Sequence, residues 1–222
     1  MADRTSTQSY KTERFKAFVD AVVAIAMTLL ILPLMESVGE AASARIDTLE
    51  FLQEHAGQLF SFALSFLLIA NFWMGHHRQY DEVTAMTRAL LWWNIAWLAT
   101  IVWLPVPTAM VGQMDTDPLQ QVLYIGTLIL TQVTSLAARV HLLRHPELTT
   151  AAPARIRHGA AADISAIVLF AVALAIAVAV GPQGYLALLV LVFTGALSTL
   201  IDRLLTRLAP RQGEDTTGGR PE

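Results

Sequence analysis

The 222-residue sequence contains no cysteine, and only 15% of its residues are charged. The first absence excludes disulfides, thiol nucleophiles and thiolate metal sites. The second excludes an ordinary soluble domain, in which about a quarter of residues carry charge. There is no H-E-x-x-H pattern and no nucleophile–base constellation, so no enzyme is expected. No carbonyl-filter sequence of the TVGYG type occurs, and no span carries the regularly spaced arginines of a voltage sensor. The hydropathy also lacks the two similar halves of an inverted-repeat transporter. What the sequence has is apolar length. Residues are 55% hydrophobic, and six stretches, near 15–35, 58–75, 89–111, 119–141, 163–180 and 185–206, are long enough to cross a bilayer. The expectation is an all-α integral membrane protein, with one six-helix unit over 1–208 and a disordered tail over 209–222.

Charge orients the spans. With six of them both termini share a side, and that side holds 14 of the 15 Lys and Arg residues, Arg45 being the exception. The other side carries Glu36, Glu40, Asp47, Glu50, Glu54, Asp115 and Asp117. The positive-inside rule therefore predicts cytoplasmic termini. Basic residues before the first span and Ala42–Ala44 after it resemble a signal peptide, but an apolar run of nearly twenty residues exceeds the usual 7–15. The first helix is expected to stay. Segment 37–56 suggests a short amphipathic helix with Ile46, Leu49, Phe51 and Leu52 on its apolar side. The 142–160 connection, with Arg144, Arg155 and Arg157, is expected to meet anionic headgroups. Asp163 is read as hydrated or capping at the start of the fifth span.

The first span, Arg14–Leu34, contains a carboxylate. At about 100° per residue, Phe18, Ile25, Thr28, Leu29 and Leu32 form one stripe, while Asp20 falls on the opposite side. An intramembrane acid normally faces protein or water and has a partner. Candidates at the same depth are Trp73, His76 and His77, which share a face at i, i+3, i+4, and Asn94 in the third span. A His–Asp or Asn–Asp bond would join helices as polar glue. A proton relay through Asp20 and the histidines is the sharper alternative. Pro33 releases the Leu29 carbonyl, and Pro105 with Pro107 make a similar break late in the third span.

Arg14-x-x-x-Phe18-Val19-Asp20 followed by "AVVAIAMTLL", with "FWMGHHR" at 72–78 and "WWNIAW" leading to "LPVPT", resembles the transmembrane protein 175 family of potassium channels. The resemblance rests on the first three spans. It implies a homotetramer of six-helix chains around a central pore lined by the first helix, as in prokaryotic members; animal members fuse two such units and work as dimers in endosomes and lysosomes. The pore would be narrowest at apolar rings, which map onto Ile25 and Leu32, with Thr28 as a hydroxyl ring between them. Arg14, Phe18 and Asp20 would pack against the second and third helices and support the pore helix. The signature's serine is Val19 here, which removes one hydroxyl from that polar cluster.

Three functions compete. The leading one is a passive potassium-selective cation channel in the plasma membrane, a bacterial inner membrane, gated by apolar rings that include Leu29. Its partners are K+, lipids and further copies of the chain; no cofactor and no nucleic acid is expected. The second is a proton or weakly selective cation leak through Asp20 and His76/His77. The third, a metalloenzyme using His76, His77 and Asp81, lacks the three or four convergent ligands a metal needs.

Overall fold

A computed structural model describes residues 2–180, with side chains over 13–179. The expected sixth span near 185–206 and the tail at 209–222 lie outside the described residues. Within them the chain is helical: α1 Ala2–Leu29, α2 Leu32–Ala44, α3 Thr48–Glu54, α4 Ala56–Tyr80, α5 Arg88–Trp103, α6 Pro105–Gln113, α7 Pro118–Arg144, a 3₁₀ turn Pro146–Leu148, and α8 Pro153–Val180. Among the described residues five segments are long and apolar enough to cross a membrane: Glu13–Ala44, Ala56–Tyr80, Arg88–Gln113, Pro118–Arg144 and Pro153–Ala179.

Prolines divide two of these segments. Pro33 lies in the first turn of α2, so the helix breaks at residues 30–31, where the Ile31 amide turns back to the Thr28 carbonyl at 3.3 Å. Pro105 opens α6, and the Leu104 amide shares the Thr100 and Ile101 carbonyls at 3.2 and 3.3 Å. Loop side chains start α3, α5 and α7. The Glu50, Leu90 and Gln120 amides donate to Asp47, Thr87 and Asp117 respectively, satisfying donors that the first turn leaves open.

Segment 37–56 contains the expected short helix, but shorter than the segment. Helix α2 continues to Ala44 and closes on Arg45 in the left-handed region, φ 59°. Only Thr48–Glu54 forms the short helix, with Leu49 and Leu52 exposed. The fifth segment begins at Pro153, ten residues before the expected 163. Its first turns, "PARIRHGAAA", are charged enough to escape a hydropathy reading yet rich in good helix formers.

The core forms where α1, α4, α5, α7 and α8 meet. Val19, Val23, Ala26 and Leu30 of α1 pack with Leu68, Ile69 and Phe72 of α4, Trp97 and Ile101 of α5, Ile125 and Leu128 of α7, and Phe170 and Ala173 of α8. Hydroxyl bonds cross it: Thr108 to Ser65, Ser65 with Tyr124, and Thr131 to Thr100, each 2.9 Å. In hydrocarbon, such bonds hold helices at well under 2 kcal/mol apiece, about 0.6 on average.

A smaller core at the basic end gathers Tyr80, Val83, Leu90, Leu142, Leu148 and Ile156. Its two loops pair through an antiparallel bridge between Val83 and Thr149 and an Arg155–Glu82 contact of 2.8 Å.

Asp163 neither caps α8 nor faces water. It lies ten residues into that helix, 6% exposed, and accepts from Arg139 Nε of α7 at 2.7 Å. The guanidinium lies across Gly159, where an added Cβ would overlap it. The missing side chain leaves room for the arginine, so the ion pair forms inside the α7–α8 contact.

Candidate pore helix and its support

Helix α1 has two unlike faces. Val19, Val23, Ala26 and Leu30, all at most 3% exposed, recur at steps of four, three and four residues and define the side turned into the chain's own core. Phe18, Ile25, Leu29 and Leu32 are 56%, 59%, 38% and 52% exposed and look away from it. Thr28 is exposed between them, and its hydroxyl donates to the Ile25 carbonyl at 2.7 Å. With its proton committed inward, the Thr28 oxygen presents lone pairs outward, a geometry suited to a cation. Four apolar side chains and one acceptor oxygen thus form a single stripe left uncovered among the described residues.

The support of α1 differs from expectation in three respects. Asp20 pairs with neither a histidine nor Asn94: Trp73 Nε1 of α4 donates to its Oδ1 at 2.8 Å. The trio on α4 also splits. His76 is buried and faces α5, bonding through Nε2 to Asn94 Oδ1 at 2.7 Å, whereas His77 is exposed and touches the Trp73 ring at 5.7 Å. Phe18, expected against the second and third helices, is 56% exposed and belongs to the outward stripe. Arg14 is exposed near the basic end. Lys16 reaches from α1 to the Asp81 carbonyl at 3.2 Å, and a cation there complements the C-terminus of α4.

Asn94 Nδ2 donates to the Leu90 carbonyl at 3.0 Å, so Oδ1 is the end that meets His76 and His76 Nε2 carries the proton. The imidazole is also clasped between two rings, Trp97 at 4.1 Å and Tyr80 at 4.4 Å. Sequence reading missed both aromatics, although Trp97 lies three residues after Asn94 and Tyr80 four after His76, spacings that put each pair on one face.

Val19, where the signature has serine, is 2% exposed. Its side chain fills the core while its neighbour Asp20 reaches Trp73 without help from a hydroxyl. Between them a cavity of about 10 Å³, space for one water, is lined by Phe15, Lys16, Val19, Asp20, His76, His77, Tyr80 and Met86. Among the described residues no cluster of three or more His, Asp or Glu could hold a metal ion.

Known proteins share part of this sequence and its fold. The family profile "Endosomal/lysosomal potassium channel TMEM175" matches residues 14–105, from α1 to the start of α6. A potassium channel of Chamaesiphon minutus is 31% identical over 115 residues, 49% of this chain and 53% of that protein. An endosomal/lysosomal proton channel TMEM175 of Gallus gallus is 38% identical over 101 residues, 42% of this chain and 20% of the chicken protein. The chain thus matches about half the length of the bacterial relative. The crystal structure of a lysosomal potassium-selective channel TMEM175 homolog from Chamaesiphon minutus superposes with a TM-score of 0.68 at 24% identity, covering 85% of this chain and 98% of that one. Residues 14–105 thus match the TMEM175 family profile, and the chain carries the fold of a bacterial TMEM175 homolog.

Proposed function

We propose that the chain is one subunit of a potassium-selective channel in a bacterial plasma membrane, a homotetramer of six-helix subunits with the basic end in the cytoplasm. The observation that carries this is the turning of Phe18, Ile25, Thr28, Leu29 and Leu32 away from the core of their own chain. Around a four-fold axis that stripe closes on itself as stacked rings. Rings of Ile25 and Leu32, with Leu29, restrict the path by shedding water, and the Thr28 oxygens offer a partly dehydrated cation a place to pause. Discrimination then rests on the cost of dehydration, lower for the larger potassium ion, without stacked backbone carbonyls. Arg14, Asp20, Trp73, His76, His77 and Asn94 hold the pore helix from behind, whereas Phe18 joins the pore mouth. Glu36 and Glu40, exposed on α2, raise the local cation concentration at the outer entrance.

The test is a reversal potential in planar bilayers with potassium on one side and sodium on the other. A potential displaced toward the potassium equilibrium value is expected. Silence from verified tetramers, or a reversal at zero, would overturn the reading.

A second reading is favoured by one feature, the water-sized cavity between Asp20, His77 and Lys16, together with similarity to a protein named a proton channel. Here protons pass behind the stripe. The two readings diverge on Asp20→Asn, which keeps an acceptor for Trp73 but not the charge. In the leak reading proton flux disappears while assembly is intact. In the channel reading potassium current persists and the oligomer melts earlier, because a hydrogen bond to a charged group, worth about 1.5–3 kcal/mol, becomes an ordinary one near 1. Trp73→Phe removes the donor altogether and should lower the melting point further.

A further inference from the structure

The proposed pore helix is held to its chain in two unequal places. Below the break at residues 30–31, α1 presents Val19, Val23 and Ala26 to the core and is fastened by the Trp73–Asp20 and Lys16–Asp81 bonds. Above it, α2 has thirteen residues, of which only Ser37 and Ala41 are buried. The Ser37 hydroxyl lies 2.9 Å from Gln58 Oε1 of α4 and 3.1 Å from the Pro33 carbonyl of its own helix. It has one proton for two acceptors, and Gln58 Nε2 is buried without a partner. Turning the amide over resolves both at once: Nε2 then donates to Ser37 Oγ, and the hydroxyl donates to the Pro33 carbonyl. Gly112 of α6 approaches Gln58 closely from the other side; a Cβ there would stand 2.7 Å from Ser61 Oγ and 3.1 Å from Gln58 Cα.

We infer that α2 is a hinged outer gate, pivoting at residues 30–31 and latched by the Ser37–Gln58 hydrogen bond, so that Leu32 moves independently of Ile25. Leu32 opens α2 and Ile25 lies on α1, so the pivot falls between the two rings. The anchors on α1 keep the Ile25 ring where it is when α2 swings. Pro33 supplies the pivot by denying the Leu29 carbonyl its helical donor. The apolar residues Leu32, Met35 and Val38, 52%, 59% and 43% exposed, are available to neighbouring copies in either position. This inference rests on the reading of α1 and α2 as the pore lining.

The absence of cysteine makes the test direct, since spin labels attach only where a cysteine is introduced. Labels at Glu40→Cys on α2 and Glu13→Cys on α1 report distances between copies in the liposome-reconstituted oligomer. In a Ser37→Ala or Gln58→Leu background, the distances at 40 should shift or broaden while those at 13 hold. Open probability should rise roughly fivefold, the shift that one lost hydrogen bond of ordinary strength produces. Ser37→Thr, which retains the hydroxyl, should behave as wild type, and Pro33→Ala, which restores a donor to Leu29, should narrow the distances at 40. Distances at 13 and 40 moving together, or neither moving in either latch variant, would overturn the hinge. Movement at 40 without current in any variant would support the hinge and defeat the channel reading instead.

Discussion

Ile25→Asn is expected to raise cation current at least about tenfold and to move the reversal potential toward zero. A ring of isoleucines blocks ions because water cannot wet it, and a ring of amides holds water across the same gap. Each ~1.4 kcal/mol removed from that barrier is a factor of ten in rate. Ile25 suits the experiment because it is 59% exposed and makes no part of the buried cluster. The current should therefore change without loss of folded protein. Val23→Asn is the control on the same helix: Val23 is 2% exposed, so an amide there meets the core of its own chain. That variant should fail to accumulate as an oligomer, an outcome set by burying an unpaired polar group at about 1–3 kcal/mol. Paired recordings and size-exclusion profiles separate the two. Current unchanged in Ile25→Asn from intact oligomers would remove Ile25 from the proposed constriction.

The contrast between positions 23 and 25 also shows how much was legible in the sequence. Helical angle alone separates them, because a rigid period of 3.6 residues leaves no choice about which side chains share a face. The same geometry predicts that Asp20 points away from the stripe, and Asp20 does reach α4. Its partner was not legible. Choosing among Trp73, His76, His77 and Asn94 depends on how α4 is rotated against α1 and α5, which is set by contacts such as Trp97 on His76 that lie far apart in sequence. Hydropathy marked the spans but misjudged the start of the fifth, because Arg155 and Arg157 lie on a helical turn beyond the apolar run. It also treated Asp163 as an end-of-span residue, since no single-sequence pattern links an acid to an arginine on the preceding helix.

That acid provides the largest stability effect expected among the described residues. Replacing Asp163 with alanine should destabilise the folded subunit by about 3–5 kcal/mol, because it leaves the Arg139 guanidinium buried and uncompensated. The side chains are 13% and 9% exposed, so water screens the pair little. Replacing both partners, Arg139→Met with Asp163→Leu, should recover most of the loss, since two apolar groups of similar volume need no partner. Gly159→Ala should act through the same site from the opposite direction, by pushing a methyl group into the guanidinium rather than by removing charge. Thermal melts of wild type, Arg139→Met, Asp163→Leu and the double variant in one detergent, read by the fraction that remains oligomeric, form a double-mutant cycle, with Asp163→Ala and Gly159→Ala melted beside them. Melts of Asp163→Ala and the double variant that both coincide with wild type would show that α7 and α8 are held by their apolar contact alone. The pair joins α7 to α8, and neither residue belongs to the Ile25 stripe on α1. Whatever oligomer survives should therefore conduct as wild type does, which distinguishes a fastening of the scaffold from a part of the ion path.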